Sequence, residues 1–117
     1  VTTERKRVTW LRVDEVRLLD HWCRNLRQTF PNALGVYLVG SVLERQDYRD
    51  VDVRIVMRQE CGNFGPHMFG EIALLDLNLL LSLWGQEQTG LPIDCQLQSW
   101  DESQKYAERP RHARGIL

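Results

Sequence analysis

Apolar residues recur along this chain with two different periods, and the changes of period divide it into elements. From Val13 to Leu26 the apolar positions Val13, Val16, Leu19, Trp22, Cys23 and Leu26 are three or four apart, with Asp14, Arg17, Asp20, Arg24 and Arg27 between them. That spacing predicts an amphipathic helix lying on one side of a sheet. Pro31-Asn32 closes it. Val36 to Val39 is apolar at both parities, which predicts an interior strand covered on two faces. A short helix is expected from Ser41 to Gln46, and Val51 to Met57 predicts a second strand. Residues 92–98 predict a third. Between these strands the segment Glu71 to Thr89 predicts a long helix, ended by Gly90 and prevented from continuing by Pro92. A helix in that place is the crossover that parallel pairing of its flanking strands requires. Its apolar residues, from Ile72 to Trp84, lie on nearly every side. The helix is therefore either deeply buried or offers a spare apolar stripe to a second copy of the chain. Ser99-x-x-Glu102 has the spacing of a capping box, so a last helix is expected from Trp100 to Glu108, stopped by Pro110.

These elements place the chain in the α/β (α+β) class, with a small mixed sheet of at least three strands and flanking helices. One domain is expected over residues 1–117, with frayed ends at about 1–8 and 110–117. The 117 residues can bury a core without disulfides, and four tryptophans with 43% apolar residues argue against disorder. A formal net charge of -1 gives no general attraction to nucleic acid or to an anionic membrane. The basic clusters Arg5-Lys6-Arg7 and Arg109, Arg111 and Arg114 are read as solvated termini. Three well-separated cysteines (Cys23, Cys61, Cys95) suit a reducing compartment, and Cys61 with His67 lacks the further ligands of a zinc site. The first residues show no signal-peptide pattern and Ile72 to Trp84 is too short to span a bilayer, so the cytoplasm is the expected location. Residues 59–70, rich in glycine, are read as an irregular loop.

One stretch changes this picture. Residues 40–53 read G-S-V-L-E-R-Q-D-Y-R-D-V-D-V, a Gly-Ser turn after one strand and a D-x-D pair at the head of the next. Side chains on a strand alternate faces, so Asp50 and Asp52 point the same way, and Arg54 shares their parity. Asp94 lies on the polar parity of the third strand, which the parallel crossover lays beside the pair. Crowded carboxylates repel one another, and a hard divalent cation with oxygen ligands removes that cost. The expectation is that Asp50, Asp52 and Asp94 converge on metal next to Gly40-Ser41.

Gly40-Ser41, Asp50-x-Asp52 and the later Asp94, each preceded by an apolar strand and in this order, resemble the nucleotidyltransferase superfamily that shares its palm fold with DNA polymerase β. In size the chain resembles its minimal, single-domain members, over about residues 34–98. The resemblance implies Mg²⁺-dependent (or Mn²⁺-dependent) transfer of a nucleoside monophosphate from an NTP, ATP being favoured, to an acceptor with release of pyrophosphate. Asp50, Asp52 and Asp94 would be the metal ligands and catalytic residues, with Asp94 nearest the attacking hydroxyl. Gly40 and Ser41 would hold the triphosphate. A basic residue is expected near it, for which Arg54, Arg45 and Arg49 are candidates and only Arg54 follows from parity. The sequence departs from the family pattern at Val42-Leu43-Glu44-Arg45, where many members carry a second glycine and a basic residue, and at Arg49, where serine or threonine is common. Nothing in these residues resembles the acceptor-binding domain of larger members. The acceptor is thus expected on another chain, a protein partner first, or on a second copy joined through the helix at 71–89. The alternative is a catalytically inactive nucleotide-binding or protein-interaction module of the same fold.

Overall fold

The computed structural model describes residues 9–58, 70–105 and 109–115. Helix α1 spans Val13–Thr29 and is followed by strand β1, Ala33–Val39. A single 3-10 turn at Ser41–Leu43 stands where a helix to Gln46 was expected. Strand β2, Val51–Met57, helix α2, Gly70–Thr89, and strand β3, Ile93–Ser99, follow. Helix α3, Trp100–Gln104, and strand β4, Arg111–Ala113, complete the order. The sheet runs β3-β2-β1-β4, with β2 and β3 parallel and the other pairs antiparallel. The fold is mixed α/β, as expected, with one strand more than the three that the pattern marked.

The two sides of the sheet are treated differently. Val36 and Leu38, Val51, Val53 and Ile55, and Ile93, Cys95 and Leu97 share one face and are buried under α1 and α2 with Leu19, Trp22 and Leu26. Trp22 meets Trp84 edge to face at 6.1 Å, and Gly85 of α2 brings the helix backbone against the Trp22 ring. The other face, carrying Tyr37, Val39, Asp52, Arg54, Asp94 and Gln96, is open enough to form a cleft. The expectation that β1 is covered on two faces is corrected here: it is central in the sheet, but helices cover only one side. Val39 lines the cleft.

The edge strand β3 is closed by side chains. Asn78 Oδ1 accepts from the Leu97 N–H, Ser82 Oγ accepts from the Cys95 N–H at 2.8 Å, and Gln86 donates to the Ile93 carbonyl. An exposed edge would otherwise present these groups to other chains. Polar residues thus occupy the flank of α2 that meets β3. Leu75, Leu79, Leu80 and Leu83 are left half or more exposed, while Leu81 is buried and Leu74, Leu77 and Trp84 pack on the core.

Strand β4 corrects the reading of residues 110–115 as a frayed end and of Arg114 as solvated, whereas Arg111 is exposed as expected. The Arg114 N–H donates to the Val36 carbonyl, its carbonyl accepts from Arg27 at 2.6 Å, and its guanidinium lies 3.8 Å from Asp20. Gly115, at φ +74°, lies directly against the backbone of α1, where any side chain would collide. Backbone pairing and these contacts hold a three-residue strand that apolar alternation could not mark. The Ser99 hydroxyl accepts from the Glu102 N–H, as the capping spacing requires. Residues 1–8, with Arg5, Lys6 and Arg7, the region 59–69, with Cys61 and His67, and the expected end of the last helix at 106–108 lie outside the described residues.

Candidate metal centre in a charged cleft

The parallel register of β2 and β3 pairs Asp52 with Asp94 directly, and the antiparallel register of β1 pairs Val39 with Asp52. Asp50 stands just before β2. One carboxylate oxygen from each of Asp50, Asp52 and Asp94 lies within 4.8 Å of the others, so the three could hold a metal ion. An all-oxygen donor set of this kind suits a hard cation such as Mg²⁺, Mn²⁺ or Ca²⁺. The three sites read from the sequence are therefore brought together by two features, the strand parity and the crossover through α2.

Arg54 follows Asp52 on the same face. Its Nη1 donates to the carbonyls of Val53 and Asp94 at 3.0 Å each, and its Nη2 is 3.8 Å from both the Asp52 and the Asp94 carboxylates. It is the internal counter-ion of the pair as well as part of the cleft wall. Burial pushes the Asp52 carboxyl up to about 6, against the pull of Arg54; Asp94 and Asp50 add to the rise. A carboxylate so placed gains most from a cation beside it.

Gly40 has φ +82° and ψ -158°, a conformation essentially confined to glycine. A β-carbon there would run into the Asp52 carboxylate. The turn is held from behind, where Val42 is fully buried and its carbonyl accepts from the Trp10 N–H at 2.9 Å. Gly40 and Ser41 line the same cleft of about 590 Å³ as Asp52 and Arg54. Arg45 also lines it, whereas the described wall does not include Arg49.

Two cleft residues were missed. Arg111 of β4 pairs with Val39, which pairs with Asp52, which pairs with Asp94, so these four residues form one row across the sheet. The row is about 14 Å long, three interstrand steps. The Arg111 guanidinium sits 4.9 Å over the Tyr37 ring, and Arg109 reaches the same cleft. Their signal in the sequence was the basic cluster itself, but nothing local said which edge of the sheet it joins. The cleft is charged on both sides, with Asp52 and Arg54 on β2 and Arg109 and Arg111 toward β4, and its wall also includes Val39 and Val56. No helix among the described residues is long and apolar enough to cross a membrane. Comparison with known proteins brought no match to a family model, a curated protein or a solved structure.

Proposed function

We propose that this protein is a Mg²⁺-dependent nucleotidyltransferase that moves a nucleoside monophosphate from an NTP to an acceptor and releases pyrophosphate. The observation that carries the reading is the convergence of Asp50, Asp52 and Asp94 within 4.8 Å of one another, with Asp52 lining the cleft that also holds Gly40 and Ser41. The donor set fits Mg²⁺, and the glycine at position 40 keeps the Asp52 carboxylate accessible from the turn. When bound there, the cation supplies charge neutralisation at the phosphoryl group and lowers the pKa of the attacking hydroxyl.

Each side chain then has a part. Asp50 and Asp52 hold the nucleotide-bound cation, and Asp94, at the outer end of the row, accepts the proton of the acceptor hydroxyl. The Gly40 backbone and Ser41 face the phosphates. Arg111, with Arg45 and Arg109 of the same cleft wall, supplies positive charge for the leaving end of the triphosphate. Arg54 positions Asp52 and Asp94 by holding the backbone between them. ATP is the favoured donor, a protein the favoured acceptor, and the cytoplasm the favoured location, where NTPs are available and the buried thiols of Cys23 and Cys95 stay reduced.

A second reading is favoured by Arg54. Its guanidinium, 3.8 Å from both carboxylates, can neutralise them without metal and leave a nucleotide-binding module without turnover. Incubation with each labelled NTP, Mg²⁺ and cell extract separates the two. The proposal expects a labelled product and pyrophosphate, both lost in Asp52→Asn. Nucleotide binding with no pyrophosphate from any NTP would establish the second reading.

A further inference from the structure

The cleft continues past the row of Arg111, Val39, Asp52 and Asp94. Two residues further along the strands stand Tyr37, Arg54 and Gln96, and two further again Gly35, Val56 and Gln98. Tyr37, Val56, Gln96 and Gln98 line the same cleft as Asp52. At about 3.3 Å per residue, the last row lies about 13 Å from the first. The charges fall away over that distance: the first row holds Asp52, Asp94 and Arg111, the second only Arg54, the third none.

The uncharged end is shaped by its smallest residue. A β-carbon at Gly35 would stand 2.8 Å from Cε2, Cζ and the hydroxyl of Tyr37, so the glycine lets that ring lie back toward the third row. The Arg111 guanidinium, 4.9 Å away, steadies the ring from one face. Val56, 3% exposed, gives the floor its methyl groups. Strands β1 and β3 are two interstrand steps apart, about 9.5 Å, so Tyr37 and Gln98 bound this floor on either side. Gln96 directs its amide to Asp94 at 3.4 Å. The half-buried Gln98 amide, in contrast, bonds to no group among the described residues.

Valine methyls between an aromatic ring and an unpartnered amide suit a flat, neutral heterocycle. A carboxamide also sets one donor beside one acceptor, which complements the adenine edge with its amino group next to a ring nitrogen. We propose that the Gly35-Val56-Gln98 end of the cleft is the base subsite and that Gln98 selects adenine. Its Oε1 accepts from the exocyclic amino group and its Nε2 donates to the neighbouring ring nitrogen. This inference rests on the nucleotidyltransferase reading, which puts the phosphates at the Asp52 end.

Calorimetric titration of the full chain in Mg²⁺ with ATP, GTP, CTP, UTP and inorganic tripolyphosphate tests it. ATP should bind roughly tenfold or more tighter than the other three nucleotides. Gln98→Leu should bring ATP level with them. Gln98→Glu makes the group acceptor-only, so it should turn the preference toward GTP, whose N1–H and N2–H both donate. Both variants should keep the circular dichroism spectrum of the wild type. Four nucleotides bound alike, with tripolyphosphate bound as well, would overturn the base subsite and leave the catalytic reading standing. A wild-type preference for another base would overturn the selection of adenine, and a preference for ATP that survives Gln98→Leu would overturn the part of Gln98. No binding of any nucleotide or of tripolyphosphate would overturn both readings together.

Discussion

The Gly40 backbone lies so close to Asp52 that a β-carbon at position 40 would occupy the place of the Asp52 carboxylate. Turn and ligand are therefore one unit, and Gly40→Ala tests both. The variant must adopt a backbone conformation that costs non-glycine residues about 1–3 kcal/mol. It must also push Asp52 aside. Expected are a lower melting temperature and loss of the Mg²⁺ response, whereas Ser41→Ala should keep both nearly intact and lose nucleotide affinity.

Asp52 links the site to metal and to pH. Millimolar Mg²⁺ should raise the melting temperature of the wild type by mass action, and Asp52→Asn should abolish that rise. In chelator the sign is reversed. The folded carboxyl keeps its proton to about 6, above its value in the unfolded chain, so its contribution to stability is complete at low pH and is lost as pH rises through 6. Metal-free Asp52→Asn should therefore melt higher than the metal-free wild type at pH 7.5, with the difference closing toward pH 4. Thermal melts of both proteins with and without chelator decide it.

Arg54 makes two backbone hydrogen bonds from a largely buried side chain. Arg54→Gln should destabilise the metal-free protein by about 1.5–3 kcal/mol, the range for hydrogen bonds to charged groups. Part of the loss should return with Mg²⁺, because the cation then neutralises the carboxylates that the arginine served. Urea denaturation at two metal concentrations measures both effects.

Arg111 touches the cleft without touching the carboxylates. Arg111→Ala should leave the Mg²⁺-induced rise in melting temperature unchanged and weaken binding of Mg-ATP or of inorganic tripolyphosphate by roughly tenfold, the loss of one charge-assisted contact. Calorimetric titration of the variant against wild type is the measurement.

Burial raises the Cys95 thiol to about 12 and pushes the Cys23 thiol up as well. Neither forms thiolate near neutral pH, and neither is reached by solvent. Both should resist alkylation in the native protein and react fully in denaturant, as peptide mass spectrometry will show.

Much of the fold was legible because the packing of each element depends on its own period. Alternation over residues 51–57 and 93–99 marks strands with one face in the core, and the three-four spacing from Val13 to Leu26 marks the helix that covers them. The three aspartates were legible for the same reason: strand parity and a crossover helix are local facts that fix a long-range neighbour. Alternation could not say that the second face of the sheet is open, because an apolar residue such as Val39 reads alike under a helix or in a cleft.

The sequence by itself determined the two long helices, the three main strands and the meeting of Asp50, Asp52 and Asp94, since each follows from side-chain period and chain direction. Only the tertiary structure decided that Arg111 joins the end of the row that begins at Asp94, and that Leu75, Leu79, Leu80 and Leu83 of α2 face outward. Those placements depend on which edge a three-residue strand pairs with, and on Asn78, Ser82 and Gln86 bonding the backbone of β3. Such choices are made between distant segments, and no local pattern records them.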